Sequence, residues 1–159
     1  MIALKKIGYE NLREIVGLSV AEDQRGFVGS NTDSILDAYL AITNDGIAVP
    51  FGIYDQDQAV GFIMLTYGAK MDENMPGVAY GNYCIWKFMI DARYQRRGYG
   101  EQAIQAALDY MRTFPCGPAE HCWLCYHPEN AAARALYHKC GFRENGEMLY
   151  GESVAVRKL

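Results

Sequence analysis

Gly98 and Gly100 stand two apart where a strand-like run gives way to the most regular helical stripe in the chain, and this junction restricts the fold more than any other stretch. Upstream, residues 78–90 are dense in Tyr, Phe and Ile and predict a central strand, with Gly81 as a candidate bulge. Downstream, Ala103, Ile104, Ala107, Leu108 and Met111 share one face of a helix predicted over 98–112. Glycines let the loop between them turn tightly and approach a ligand, and the first amides of a helix point outward at its positive end. Gln95, Arg96 and Arg97 lead into the loop and Arg93 stands close by. Guanidinium forks match phosphate oxygens, so the stretch reads as a cradle for a diphosphate.

The rest of the chain alternates strands and helices around that unit. Ile2, Leu4 and Lys6 predict a first strand, followed by a helix over 10–17 with Ile15, Val16 and Leu18 inward. After a polar stretch, a second helix is predicted with Asn31 or Thr32 as its cap and with Ile35, Leu36, Tyr39 and Leu40 at helical spacing. Two apolar runs between 47 and 67 flank a polar turn at 55–58 and read as a hairpin. A strand over 121–126, a helix over 130–139 opened by Asn130 and closed by Gly141, and two strands about the turn at Tyr150 and Gly151 complete the chain. The order is β α α β β β α β α β β. It predicts a single α/β domain over 1–159: one mixed, mostly antiparallel sheet flanked by helices.

Composition narrows the partners. The chain has 159 residues, 50% hydrophobic, and its 15 basic and 19 acidic side chains give a net charge of −4. A chain of this length buries about 70% of its unfolded surface and needs no disulfide or metal to hold a core. The charge balance argues against nucleic acid and membrane surfaces and favours a cationic partner. Residues 1–60 carry four basic and nine acidic side chains, so the acid lies early. The opening residues contain no apolar run of signal-peptide length and no stretch is apolar enough to span a membrane, so a cytoplasmic protein is expected. Cys122 and Cys125 form a C-x-x-C between His121 and His127, which raises zinc or redox chemistry. In a strand, however, positions three apart face opposite sides, which favours cysteines acting as small core residues, with no metal.

Three phosphate-binding readings compete at the glycine pair. A Walker loop needs Gly, Lys and Ser or Thr together, and no such string occurs. Gly98, Gly100 and Ala103 fit the dinucleotide pattern G-x-G-x-x-A, but Glu120 precedes the next strand, whereas the ribose-binding acid of that pattern ends it. The third reading is coenzyme A. Gln95-Arg96-Arg97-Gly98-Tyr99-Gly100 resembles the Q/R-x-x-G-x-G/A signature of the GNAT acyltransferases, and Asn130, Ala133, Leu136, Tyr137, Gly141 and Phe142 match the family's N-x-x-A-x-x-L-Y-x-x-x-G-F pattern. Within the family, these segments look most like bacterial spermine/spermidine and related diamine N-acetyltransferases.

The resemblance implies the GNAT fold and an acetyl-CoA-dependent N-acetyltransferase. It implies that acetyl-CoA is held by Phe88, Met89 and Ile90 through their main chain, by Gln95, Arg96, Arg97, Gly98, Tyr99, Gly100 and Glu101 at the loop, and by Asn130. It further implies that Tyr137 donates a proton to the departing thiolate. The acceptor would be a small primary amine, a polyamine or diamine, attacking directly in a ternary complex. The alternatives are an aminoglycoside or protein amino group, or acyl-CoA binding without turnover. The family often forms dimers, so a homodimer is an expected assembly.

The chemistry asks for more than the motifs name. An amine of pKa about 10.4 is charged at neutral pH, and deprotonating it costs about 4.6 kcal/mol, so a proton acceptor is required. Glu22 and Asp23, with Asp33 and Asp37, lie in the early acidic region that lines the acceptor cleft in the family, and His127 is a second candidate base. Trp86 stands where some polyamine-acetylating relatives carry an acid; its ring can pack on an alkyl chain or face a cation, and Tyr80 and Tyr83 could do the same.

Overall fold

The computed structural model describes residues 1–70 and 73–159 and has the predicted element order. Seven strands, β1 (Ile2–Lys6), β2 (Ala48–Asp55), β3 (Gln58–Tyr67), β4 (Tyr83–Ile90), β5 (His121–Tyr126), β6 (Arg143–Leu149) and β7 (Glu152–Lys158), form one sheet in the order β1-β2-β3-β4-β5-β7-β6. Among the described residues only the β4/β5 pair is parallel, as expected for a mixed, mostly antiparallel sheet. The helices are α1 (Leu12–Val16), α2 (Asn31–Thr43), α3 (Tyr99–Met111) and α4 (Ala131–Lys139).

One face of the sheet packs Ile53, Ile63, Leu65 and Ile85 against Ala103, Ile104, Ala107, Leu108 and Met111, the stripe predicted for α3. The other face packs Phe62 and Met64 against Ile15, Leu18, Ala38 and Ala41 from α1, α2 and the loop between them. Cys122 belongs to the first face and Cys125 packs toward a third cluster around Trp123 and Val154, so strand alternation separates the C-x-x-C pair.

Three local expectations are corrected. The cap of α2 is Ser30, whose side chain accepts from the Asp33 amide, while Asn31 is buried and donates to the Ile15 carbonyl at 2.8 Å. The inward face of α2 is Asn31, Ser34, Ala38 and Ala41, whereas Leu36, Tyr39 and Leu40 are 56%, 65% and 57% exposed. Small side chains let the helix approach the sheet closely, and that steric requirement outweighed the hydrophobicity of the bulkier stripe. Gly81 lies in the turn before β4 at φ 70. The bulge is at Trp86 instead, because Met64 pairs with Lys87 and the next residue, Leu65, pairs with Ile85.

Past that turn the sheet opens. The β4/β5 pairing consists of Tyr83 with Cys122 and Cys84 with Trp123, after which β5 continues alongside β7 alone. A wedge therefore widens between the two central strands, with the Trp86 bulge on one side and Leu124–Tyr126 on the other.

Candidate active site

The wedge leads into two cavities that share a wall. One, of about 430 Å³, runs along Phe88, Met89 and Ile90 to the loop and the start of α3, and its far side is Asn130, Ala133, Leu136 and Tyr137 of the α4 region. The other, of about 420 Å³, lies above the bulge and is walled by Trp86, Lys87, Trp123, Tyr126, Tyr150 and Glu152. Phe27, Val28, Phe88, Asn130, Ala133 and Tyr137 border both.

The first cavity has the features of an anion cradle. Gly98 caps α3 at φ 79 and Arg96 also adopts φ 62, so the loop turns twice through the left-handed region before the helix begins. No side chain among the described residues caps α3. The first intrahelical bond runs from the Gln102 amide to the Gly98 carbonyl, which leaves the Tyr99, Gly100 and Glu101 amides without helical acceptors at the positive end. Three orphan donors around a glycine pair suit a diphosphate. A methyl group on Gly100 would stand 3.1 Å from Leu136 Cδ2, so the helix start sits close to α4.

Side chains around the cradle divide into ligand-facing and structural. Arg96, Tyr99 and Glu101 line it; Tyr99 donates its hydroxyl to Asp55 at 2.7 Å, and Glu101 pairs with Lys139 at 2.6 Å. Gln95 also lines it, donating to the Ile90 carbonyl at 2.9 Å and to Gln24 at 2.7 Å. Arg97 is not among the lining residues, and its guanidinium lies 5.7 Å from the Tyr94 ring centroid. Arg93 is held at 2.8 Å by Asp91, a carboxylate only 2% exposed. Hydrogen bonds from Arg93 and the Ser19 amide outweigh burial and hold Asp91 below the usual carboxylate range.

The strand wall is selective about main chain. The Asp91 amide bonds the Val60 carbonyl of β3, so alternation turns the peptide groups of Met89 toward β3 and those of Phe88 and Ile90 toward the wedge. Since Gln95 occupies the Ile90 carbonyl, Phe88 and the Ile90 amide are what remain for a ligand. Met89 borders the cavity, and its side chain packs into the cluster beneath α1 and α2, with its sulfur 3.8 Å from Asn31 Nδ2.

Tyr137 sits where the cavities join. It is 8% exposed, with its ring centroid 5.7 Å from Tyr126 and 6.2 Å from Phe142, and its hydroxyl hydrogen-bonds no group among the described residues. Burial, reinforced by the charge of the nearby Glu152 carboxylate, pushes the phenol far above its ordinary pKa, so the hydroxyl remains protonated. Asn130 accepts from the Ala133 amide at 3.1 Å as the cap of α4, which orients its side-chain NH₂.

The early acids are not brought into this arrangement. Glu22 and Asp23 are exposed in a 3-10 turn and line neither cavity; the same region contributes Phe27 and Val28 instead. Asp33 serves the Ser30 cap and Asp37 pairs with Lys87 at 3.2 Å. Tyr80 is exposed and lines neither cavity, and Tyr83 is buried with its hydroxyl between the Cys116 amide and the Gly117 carbonyl. His127 does line the second cavity, but its Nδ1 accepts from the Glu129 amide at 3.3 Å. Trp86 lies on the wall of the second cavity, at the bulge. Glu152 was missed: it follows Gly151 in a short strand, and no local pattern signals that the order β5-β7-β6 puts it beside the wedge.

This fold and site define an acyltransferase class, and comparison with known proteins agrees. A model of the acetyltransferase (GNAT) family matches residues 20–142, and the chain belongs to that family. It is 28% identical over 160 residues to a spermine/spermidine N(1)-acetyltransferase of Bacillus subtilis strain 168, covering 99% of both chains. Among solved structures, spermidine N-acetyltransferase from Vibrio cholerae, in complex with CoA and spermine, is similar with a TM-score of 0.67 and 20% identity, covering 99% of this chain and 94% of that one. An aminoglycoside acetyltransferase in complex with coenzyme A gives a TM-score of 0.78 at 14% identity, over 99% and 95% of the two chains. The protein is an acetyl-CoA-dependent N-acetyltransferase.

Proposed function

We propose that the protein transfers an acetyl group from acetyl-CoA to a primary amine of a polyamine or diamine, by direct attack in a ternary complex. The observation that carries this reading is the junction of two cavities at Tyr137. In it the cofactor's diphosphate lies on the amides of Tyr99, Gly100 and Glu101 beside Arg96. Its arm follows Phe88 and the Ile90 amide, and its thioester reaches Tyr137 and Asn130. The amine enters from the other cavity, whose aromatic walls suit an alkyl chain bearing an ammonium group. The named activity of the curated relatives, which match over nearly the full length, supports the same substrate class.

The chain's residues then divide the work. Phe88 and Asn130 position the thioester, and the walls exclude water that would hydrolyse it. Tyr137 keeps its proton and offers it to the sulfur as the carbon–sulfur bond breaks. Burial raises the phenol, but it also raises the thiol of Cys125 on the wall of the same cavity. A thiolate leaving in such a place is a stronger base than in water, so the match between donor and leaving group survives desolvation.

Thiol release from acetyl-CoA with putrescine, spermidine and spermine tests the reading. Turnover is expected, with intersecting double-reciprocal lines for the two substrates. Parallel lines would refute the ternary complex, and no release with any of the three would refute the substrate class.

A further inference from the structure

Glu152 is an ionisable group of the acceptor cavity that no step above uses. It opens β7 and lines that cavity together with Trp86, Trp123, Tyr126 and Tyr150. It is the single carboxylate lining that cavity among the described residues, and it forms no ion pair among them. The cation on the same wall, Lys87, is held instead by Asp37 at 3.2 Å. His127 has its Nδ1 engaged by the Glu129 amide, and the Tyr126 hydroxyl is taken by Glu144. The Cys125 thiol on the same wall is pushed up by burial first and by the nearby Glu152 carboxylate second. Glu152 lines the same cavity that Tyr137 borders, and its charge helps to raise the Tyr137 phenol. A half-buried carboxylate with no countercharge, within electrostatic reach of the proton donor, is completed by a cation.

We propose that Glu152 binds the acceptor's ammonium group and takes its proton, which rests on the amine acetyltransferase reading above. One proton passes from R–NH₃⁺ to the carboxylate, leaving R–NH₂. Its lone pair forms the nitrogen–carbon bond to the thioester carbonyl. The carbon–sulfur bond then breaks, the thiolate takes the Tyr137 proton, and the phenolate regains one from the acylated nitrogen. The products are R–NH–acetyl and CoA thiol, and the proton on Glu152 returns to solvent.

The test uses the full chain with Glu152→Gln, Glu152→Ala and Glu152→Asp, assayed by thiol release with putrescine, spermidine, spermine and n-butylamine. Glutamine keeps the shape and removes the charge. Glu152→Gln is expected to lower kcat/KM for the amine by about 100-fold, with amine KM raised and kcat lowered. Its KM for acetyl-CoA and its acetyl-CoA-dependent rise in Tm should be unchanged, and Glu152→Asp should recover part of the loss. If Glu152→Gln does not fold, Glu152→Ala is held to the same readouts. Amine kcat/KM within threefold of wild type would overturn the role of Glu152 while leaving the amine reading intact. A wild-type enzyme inactive on all four amines would overturn both.

Discussion

Replacing Tyr137 by Phe isolates one atom. The ring's neighbours, Tyr126 at 5.7 Å and Phe142 at 6.2 Å, are aromatic contacts that phenylalanine keeps. The lost hydroxyl hydrogen-bonds no described residue in the free protein, so its removal strands no partner, and the change in stability should stay within about 0.5 kcal/mol. The deletion therefore acts on the reaction. Positioned general acids contribute about 10²–10⁴ in rate, and the lower bound applies because a thiolate leaves more readily than an alkoxide. A 100-fold fall in kcat corresponds to about 2.7 kcal/mol of lost transition-state stabilisation. The assay is steady-state thiol release with spermidine, alongside thermal melts with and without acetyl-CoA. The reasoning predicts kcat down about 100-fold, the free-protein Tm unchanged, and the acetyl-CoA-dependent Tm shift retained. Unchanged kcat would remove Tyr137 from the proton path, and a Tm several degrees lower would show that the hydroxyl has a structural partner.

Gly98→Val should abolish the acetyl-CoA-dependent Tm rise, because φ 79 strains a β-branched residue and its side chain blocks the approach to the Tyr99–Glu101 amides; a normal shift would refute the cradle. Glu144 accepts from the Tyr126 hydroxyl, and from His138 at 2.8 Å, and its carboxyl is lowered from 4.5 to about 2, chiefly by the Tyr126 bond. A depressed folded pKa contributes stability that is complete above the unfolded value and is lost as pH falls through the folded one. Tm should therefore drop between pH 4.5 and about 2 in a way that Glu144→Gln blunts, which parallel melts across that range would check. Leu40→Ser on the outer face of α2 should leave the stability within about 0.5 kcal/mol by urea denaturation, since the side chain is 57% exposed; a loss above 2 kcal/mol would show that this face is packed in solution.

Most elements were legible because their signals are local. The stripe of α3 has large apolar residues at 3.6-residue spacing, and Gly98 marks a conformation that other residues reach with strain. Asn130 and Tyr137 stand seven apart, which brings them to one side of α4 within about 20°. The α2 face was misread because Ala38 and Ala41 carry weak hydrophobic signals yet meet the requirement for close packing. Glu22 and Asp23 attracted attention by charge, which says nothing of direction, and the chain turned Phe27 and Val28 inward in their place.

Sequence alone determined the order of elements, the family pattern at 95–100 and 130–142, and the glycine pair that can cradle a diphosphate, since each depends on neighbours along the chain. Tertiary structure decided where β4 and β5 part, which peptide groups face the wedge, and that Glu152 of β7 shares one cavity wall with Trp86 and Lys87 of β4. Strand order and a bulge in register are relations between distant segments, set by how the whole sheet packs its two faces. No single window of residues carries that information.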